Sequence, residues 1–311
     1  MARPVLRAVQ ITVTLGLLAL LWRLVDGQAA LAHLAGAQPL WLAGALALLT
    51  AQTVLSALRW RLTAGQFGIR LDLRTALSEY YLSQIVNQVL PGGVLGDAGR
   101  ALRARVQSGL MASGQAVLFE RLAGQIALFA LFAGAVLASL ALPGGFQWLS
   151  TMLLAPLLSL IAGITGFWLV LWSVGPRLPG RTGSALGAFK AAFRRALWAP
   201  RVRLRQIATS LGTALLNVAA FACCAAAVGV HLPPLAALVL VPPILLMMLV
   251  PITVSGWGLR EGAAAALLLG VGATAAEGLA ASVAFGLTLI VAALPGAVAA
   301  GRMTRIGVVN Q

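Results

Sequence analysis

Apolar runs long enough to cross a lipid bilayer recur along the whole chain, and they constrain its fold more than any other feature. A helix crosses the roughly 30 Å hydrocarbon core with about 20 predominantly apolar residues. Hydrophobic residues make up 60% of the 311 residues, charged residues only 9%, and the mean hydropathy is +0.96. A soluble domain carries about 25% charged residues. The sequence therefore predicts an all-α polytopic membrane protein, with residues 1–311 forming a single transmembrane domain.

Six segments are long enough to span the membrane: 5–25, 39–60, 113–141, 152–174, 206–229 and 278–301. The first segment could instead belong to a signal peptide, since a basic start precedes it and the small-residue run Ala30-Leu31-Ala32 follows it. We favour an uncleaved first span, because the rest of the chain is equally apolar.

The basic residues lie mainly at the ends of the apolar runs, as topology signals do. Of the 22 Arg and Lys residues, 19 fall on one predicted side of the membrane, in 1–7, 59–74, 100–105, 177–205 and 302–305. The positive-inside rule places that side in the cytoplasm. We therefore expect a bacterial inner-membrane protein with both termini cytoplasmic, and no nucleic-acid partner despite the net charge of +15.

The cytoplasmic loop 177–205 contains an amphipathic pattern. Leu186, Phe189, Phe193 and Leu197 recur at helical spacing, and Lys190, Arg194 and Arg195 lie elsewhere around the turn. The pattern predicts a basic helix lying on the anionic inner leaflet. Binding of a partner protein is the alternative.

Two further apolar regions, 76–105 and 235–272, are each divided by a break. Pro91, Gly92, Gly93 and Gly96 interrupt the first region, and Pro251, Gly256, Trp257 and Gly258 interrupt the second. Neither arm of the first region can span alone, so each region is predicted to form a re-entrant helical hairpin. Broken backbone at that depth is tolerated only inside protein or beside a wet cavity.

The two breaks resemble each other. PGGVLGDAGR (91–100) aligns without gaps to PITVSGWGLR (251–260) and matches at Pro, Val, Gly and Arg. Three predicted crossings separate the hairpins, so they should enter from opposite sides. This arrangement predicts an inverted repeat, and transporters commonly bind substrate where such broken helices meet.

Charged residues within these apolar regions are the candidate site: Asp97, Arg100, Glu120, Arg121, Arg260 and Glu261. One ionised group at a helix centre opposes insertion by roughly 2.5–3.5 kcal/mol, so these groups must pair or face water. Pairing that only locks the hairpins in place is one interpretation. We favour a binding site, since helix N-termini at the breaks and arginine forks suit phosphate or another anion. Asn87 and Gln125 could line the same cavity.

Three roles are open to the acidic residues of this candidate site. Asp97, Glu120 and Glu261 could neutralise the arginines, bind an ammonium headgroup or carry a coupling proton. The adjacent Cys223 and Cys224 show no metal-ligand spacing, and we predict neither a metal nor a cofactor.

Three ordered motifs, NQVLPGGVLGDAGRALRAR, FERLAGQ and PITVSGWGLREG, resemble the signatures of the flippase-like membrane domain of lysylphosphatidylglycerol synthases. The resemblance covers about residues 1–305. It implies a protein that moves a lipid or lipid-linked headgroup between leaflets. The resemblance assigns the functional positions of the family's motifs to these residues: Pro91, Gly92, Gly93, Gly96, Asp97, Arg100, Glu120, Arg121, Pro251, Gly256, Gly258, Arg260 and Glu261.

The bifunctional synthases add a soluble aminoacyl-transferase domain after this membrane domain, and here the sequence ends at Gln311. Synthase activity is therefore not expected, and the cargo could be a phospholipid, an aminoacyl-phospholipid or a glycolipid or polyprenyl-phosphate. The alternatives are a membrane-embedded transferase or hydrolase with Glu120 or Glu261 as base, and a non-transporting partner of a lipid-pathway enzyme. Self-association into a homo-oligomer also stays open.

Overall fold

The chain is helical throughout the part that the structure describes. The computed structural model describes residues 2–90, 93–141, 180–250 and 252–298 and scattered positions between 158 and 173, and these residues form no β-strand. The helices are α1 (Ala2–Leu24), α2 (Gly27–Ala35), α3 (Pro39–Gly65), α4 (Leu73–Val89), α5 (Leu95–Ala141), α6 (Gly180–Trp198), α7 (Arg203–Ala227), α8 (Pro234–Leu246), α9 (Leu259–Leu267) and α10 (Ala275–Ala293). Short 3₁₀ turns, Met247–Leu249 and Leu268–Val271, follow α8 and α9.

Four segments of the described part are long and apolar enough to cross a bilayer: α3, α5, α7 and Ala275–Val298, which contains α10. They confirm the predicted spans 39–60, 113–141, 206–229 and, as far as residue 298, 278–301. Apart from scattered positions, the predicted span 152–174 lies outside the described residues. The all-α polytopic fold predicted from composition is therefore confirmed.

The predicted first span, 5–25, agrees with α1, and the apolar helix α2 follows it at a sharp angle. Ala8–Leu24 and Gly27–Ala35 are bent by 93° relative to each other. Asp26 lies between them with φ of 47° and caps α2 by accepting a hydrogen bond from the Ala29 N–H. The polar cap lies where one helix ends and the next begins, so this apolar stretch does not form one straight helix.

The first predicted hairpin, 76–105, is a helix–break–helix unit. Asp72 caps α4, and hydrogen bonds from the Thr75 side chain and backbone lower the pKa of its carboxyl group. Helix α4 ends at Val89, and it packs against α5, which begins at Leu95. Gly96 allows this contact, since a Cβ there would overlap the Ser83 carbonyl oxygen. Gly109, at φ 80° and ψ 166°, divides α5 into the returning arm and the long span.

The second predicted hairpin, 235–272, contains α8, the described break residues 252–258 and α9. Ser255, Gly256 and Gly258 have φ of 50°, 80° and 91°. A Cβ at Gly256 would lie 2.6 Å from the Met248 Cα, so glycine is required there by both conformation and space. Of the predicted break residues, Pro91, Gly92 and Pro251 lie outside the described residues.

The amphipathic helix α6 packs its apolar face on the protein itself. The Phe119 ring lies 5.1 Å from the Phe189 ring and 5.8 Å from the Phe193 ring, centroid to centroid. The Arg194 and Arg195 side chains are exposed. That α6 lies on the inner leaflet stays a prediction. Its apolar face packs on the protein because Phe119 and its neighbours on α5 form an apolar surface, which hydropathy alone does not reveal.

Small side chains bring the spanning helices close together. The contact between α3 and α7 is the most extensive in the described part, and α10 packs on α2, α3, α7 and α9. The buried core includes many alanines together with Phe132, Phe221 and Phe285. Without a hydrophobic force between helices in lipid, such close packing of small residues supplies the association.

Candidate functional site

The two hairpins meet at a polar cavity of about 230 Å³. Gln84, Asn87, Gln88 and Asp97 of the first hairpin line it, and Met248 and Ser255 of the second hairpin close another side. The hydroxyl of Ser255 donates a hydrogen bond to the Gln88 carboxamide oxygen at 2.7 Å. Drug-sized ligands occupy pockets of about 300–1,000 Å³. The space is therefore suited to a small polar group and not to a whole lipid.

A cluster of ion pairs forms one wall of this cavity. Glu120 accepts from Arg59 at 2.6 Å and from Arg100 at 3.1 Å. Asp97 accepts from Arg100 at 2.8 Å and also pairs with Arg121. Three guanidinium groups thus share two carboxylates, and the cluster carries one more positive than negative charge. The neighbouring pair of Arg103 and Glu79 is balanced and leaves this excess unchanged.

Arg100 is the most enclosed cation of the cluster. Its guanidinium lies 4.5 Å from the centroid of the Trp60 ring and 4.6 Å from that of Tyr80. Its side chain has no exposed surface. The aromatic faces stabilise a cation whose Nε and Nη1 have no hydrogen-bond partner among the described residues. The Tyr80 hydroxyl donates to Glu120 at 3.3 Å, which ties the aromatic wall to the cluster.

Asp97 is held in place by the hairpin that carries it. Ser83 donates to its carboxylate at 3.1 Å and Asn87 at 3.0 Å. The Asn87 oxygen in turn accepts the Gly96 N–H at 2.7 Å. With two arginines added, the Asp97 carboxylate has four donors, which fills its capacity to accept hydrogen bonds.

Arg121 is the cation that faces the cavity most openly. Its side chain is 39% exposed, against 6% for Arg59, which also lines the cavity. Asp97 is its ion-pair partner, and its Nε has no hydrogen-bond partner among the described residues. Gln125, one helical turn further along α5, lines the same cavity. Because its side chain is partly exposed and lines the cavity, Arg121 is the arginine of the cluster best placed to meet an anion that enters this space.

The charged pair of the second hairpin is arranged differently. The Arg260 and Glu261 side chains are 1% and 0% exposed and contact each other at 2.5 Å. Glu261 also accepts the Gly258 N–H at 2.6 Å and the Ser282 hydroxyl at 3.1 Å. The Arg260 guanidinium lies 5.0 Å from the Trp257 ring centroid, so Trp257 packs within the protein. The pair therefore carries no excess charge and is buried.

The structure divides the sequence-predicted residues into two groups. Asn87, Asp97, Arg121 and Gln125 line the cavity together with Gly93 of the first break. The others, Arg100, Glu120, Arg260 and Glu261, are buried and do not line it.

Several members of the site are not recognisable from the sequence. Arg59 was grouped with the topology arginines because it ends an apolar run, yet it is 5% exposed and also donates to Thr213 at 2.8 Å. Gln52, Ser83 and Asn217 gave no signal beyond being polar residues within apolar helices. Among the described residues, no three His, Cys, Asp or Glu side chains come together as a metal site.

Comparison with protein families identifies the chain. A search of curated proteins found no match. The family model described as the lysylphosphatidylglycerol synthase TM region matches residues 7–296. Because this match covers nearly the whole sequence, the chain belongs to the family of the lysylphosphatidylglycerol synthase transmembrane region.

Proposed function

We propose that the protein moves a lipid with an anionic headgroup between the membrane leaflets, and that the cavity between the hairpins binds this headgroup. The observation that carries the proposal is the partly exposed Arg121 in a cluster with excess positive charge. Family membership supports the coarser part, a membrane protein of a lipid pathway.

Phosphate is the anion that best suits this site. The arginine fork matches phosphate oxygens with two parallel hydrogen bonds. A phosphate beside Arg121 would neutralise the excess charge of the cluster. In surroundings of low dielectric constant this pairing is stronger than in water.

Transport requires the cavity to open to each leaflet in turn. The predicted opposite orientation of the two hairpins would let one half rock against the other around the bound headgroup. The contact between Gln88 and Ser255 joins the hairpin tips, so this contact would break during the cycle. The proposal takes both termini to face the cytoplasm of a bacterial inner membrane, as the arginine distribution favours.

The surroundings of Glu120 and Glu261 favour a role in transport over a role as a catalytic base. A general base must accept a proton from its substrate. Glu120 is paired with Arg59 and Arg100, and Glu261 with Arg260. Arginines already occupy both carboxylates, and neither residue lines the cavity. We therefore propose no enzymatic reaction for this site.

Reconstitution with a matched pair of variants tests the proposal. Purified protein is placed in vesicles containing labelled phosphatidylglycerol, and the labelled lipid in each leaflet is measured over time. We expect Arg121→Gln to slow exchange at least tenfold, since a charge-assisted hydrogen bond contributes about 1.5–3 kcal/mol. Arg103→Gln is the control, because Arg103 is also ion-paired and 39% exposed but does not line the cavity. Equal rates for both variants, or no exchange by the unmodified protein with any anionic lipid, would overturn the proposal.

A further inference from the structure

Carboxamide side chains dominate the polar surface of the cavity beyond its charged wall. Four helices contribute them: α3, α4, α5 and α7. The lining amides are Gln52, Gln84, Asn87, Gln88, Gln125 and Asn217.

These amides differ in how far the protein already uses them. Gln52 donates to Ser56, and Gln84 exchanges hydrogen bonds with Thr53. Asn87 is engaged by Asp97 and Gly96.

The remaining amides have capacity left. Gln125 and Asn217 make no side-chain hydrogen bond with the described residues, and Gln88 uses only its oxygen. Gln125 and Asn217 can therefore both donate to and accept from a group that enters the cavity, and the Gln88 amino group can donate to it.

Resting on the transport proposed above, we infer that the transported headgroup is a phosphodiester bearing several hydroxyl groups, such as a glycerol, polyol or sugar, and not an aminoacylated one. Each hydroxyl both donates and accepts, and a carboxamide does the same through two N–H groups and one oxygen. Arg121 binds the phosphate, and Gln125, Asn217 and Gln88 bind the hydroxyls.

The charges of the site exclude the aminoacylated alternative. An aminoacyl headgroup brings ammonium groups, which need a carboxylate with free acceptor capacity. Asp97 is the one carboxylate among the described residues that line the cavity, and four donors already occupy it. An ammonium group would therefore enter a region of excess positive charge without a partner. Unpaired charge in such a site is strongly disfavoured.

Binding to detergent-solubilised full-length protein tests this inference without transport. The probes are short-chain phosphatidylinositol, phosphatidylmethanol and lysylphosphatidylglycerol, titrated by calorimetry. Phosphatidylmethanol has the same single phosphodiester charge as phosphatidylinositol but no headgroup hydroxyl. We expect phosphatidylinositol to bind at least tenfold more tightly than phosphatidylmethanol, and lysylphosphatidylglycerol to bind most weakly.

Two variants connect the preference to the amides. In the double variant Gln125→Leu/Asn217→Leu the ratio between phosphatidylinositol and phosphatidylmethanol should fall below threefold, whereas Gln115→Leu on the same helix, outside the cavity lining, should leave it unchanged. Arg121→Gln should weaken both anionic lipids by a similar factor. Equal affinity for these two lipids, an unchanged ratio in the double variant, or tightest binding of lysylphosphatidylglycerol would overturn the inference.

The vesicle assay keeps the two proposals distinguishable. Exchange without headgroup preference contradicts the hydroxyl inference but leaves transport standing. The expected order of affinities without exchange supports the headgroup assignment and contradicts transport.

Discussion

The two hairpins carry the same kind of residues for different purposes. In the first hairpin, Asp97 and Arg100 join Arg59, Glu120 and Arg121 in a network with excess positive charge that opens on a cavity. In the second hairpin, Arg260 and Glu261 satisfy each other and are enclosed. An arginine and an acid near a Pro/Gly break therefore do not by themselves mark a binding site, because the number and accessibility of the partners decide it.

The largest expected effect is a loss of stability when the charged pair of the second hairpin is broken. Glu261→Gln leaves the Arg260 guanidinium buried without an anion, and losing one member of a buried pair costs about 3–5 kcal/mol. We expect a large drop in the unfolding temperature in detergent. Glu277→Gln is the control, since Glu277 forms a capping box that Gln also supports. Equal stability of the two variants would contradict a structural role for the Arg260–Glu261 pair.

A smaller effect concerns the contact between the arms of the first hairpin. Gly96→Ala would place a methyl group against the Ser83 carbonyl, and such overpacking costs about 1–3 kcal/mol. The same substitution at Gly134 on α5 meets no atom within 4 Å and should be neutral or slightly stabilising. Thermal unfolding of both variants measures the difference. A Gly96 variant as stable as the Gly134 variant would show that the arms do not pack as closely as described.

The smallest expected effect comes from removing the hydrogen bond that joins the two hairpins. Ser255→Ala removes the hydrogen bond to Gln88 and should cost about 0.5–1.5 kcal/mol. Because this contact would break in each transport cycle, we expect lipid exchange to become a few times faster. Slower exchange in the vesicle assay would show that the contact belongs to a productive state of the cycle.

Much of the fold could be predicted because lipid permits few solutions for a backbone. Long apolar runs marked four spans, and Pro/Gly interruptions marked both hairpins. The bend at Asp26 was missed because the apolar character continues on both sides of it. The docking of α6 on Phe119 was missed because a surface made by another helix has no signature in the local pattern.

The site was predictable only in part. Asp97 and Arg121 stand out because ionised groups are rare within apolar runs. The candidate residues in the sequence are three acids and three bases, a number that allows complete pairing. This tally was incomplete because Arg59 lies 61 positions from its partner Glu120 and sits where a topology arginine is expected. Adding Arg59 creates the excess charge, and only the packing of α3 on α5 and α7 brings it there.

The most direct test of the central claim is a structure with lipid bound. Purified protein with phosphatidylglycerol in nanodiscs, imaged by electron cryomicroscopy, should show headgroup density between the hairpins, with its phosphate in hydrogen-bond contact with Arg121. Density at the protein's surface alone, with the cavity between Gln88 and Arg121 occupied by water at saturating lipid, would contradict the account.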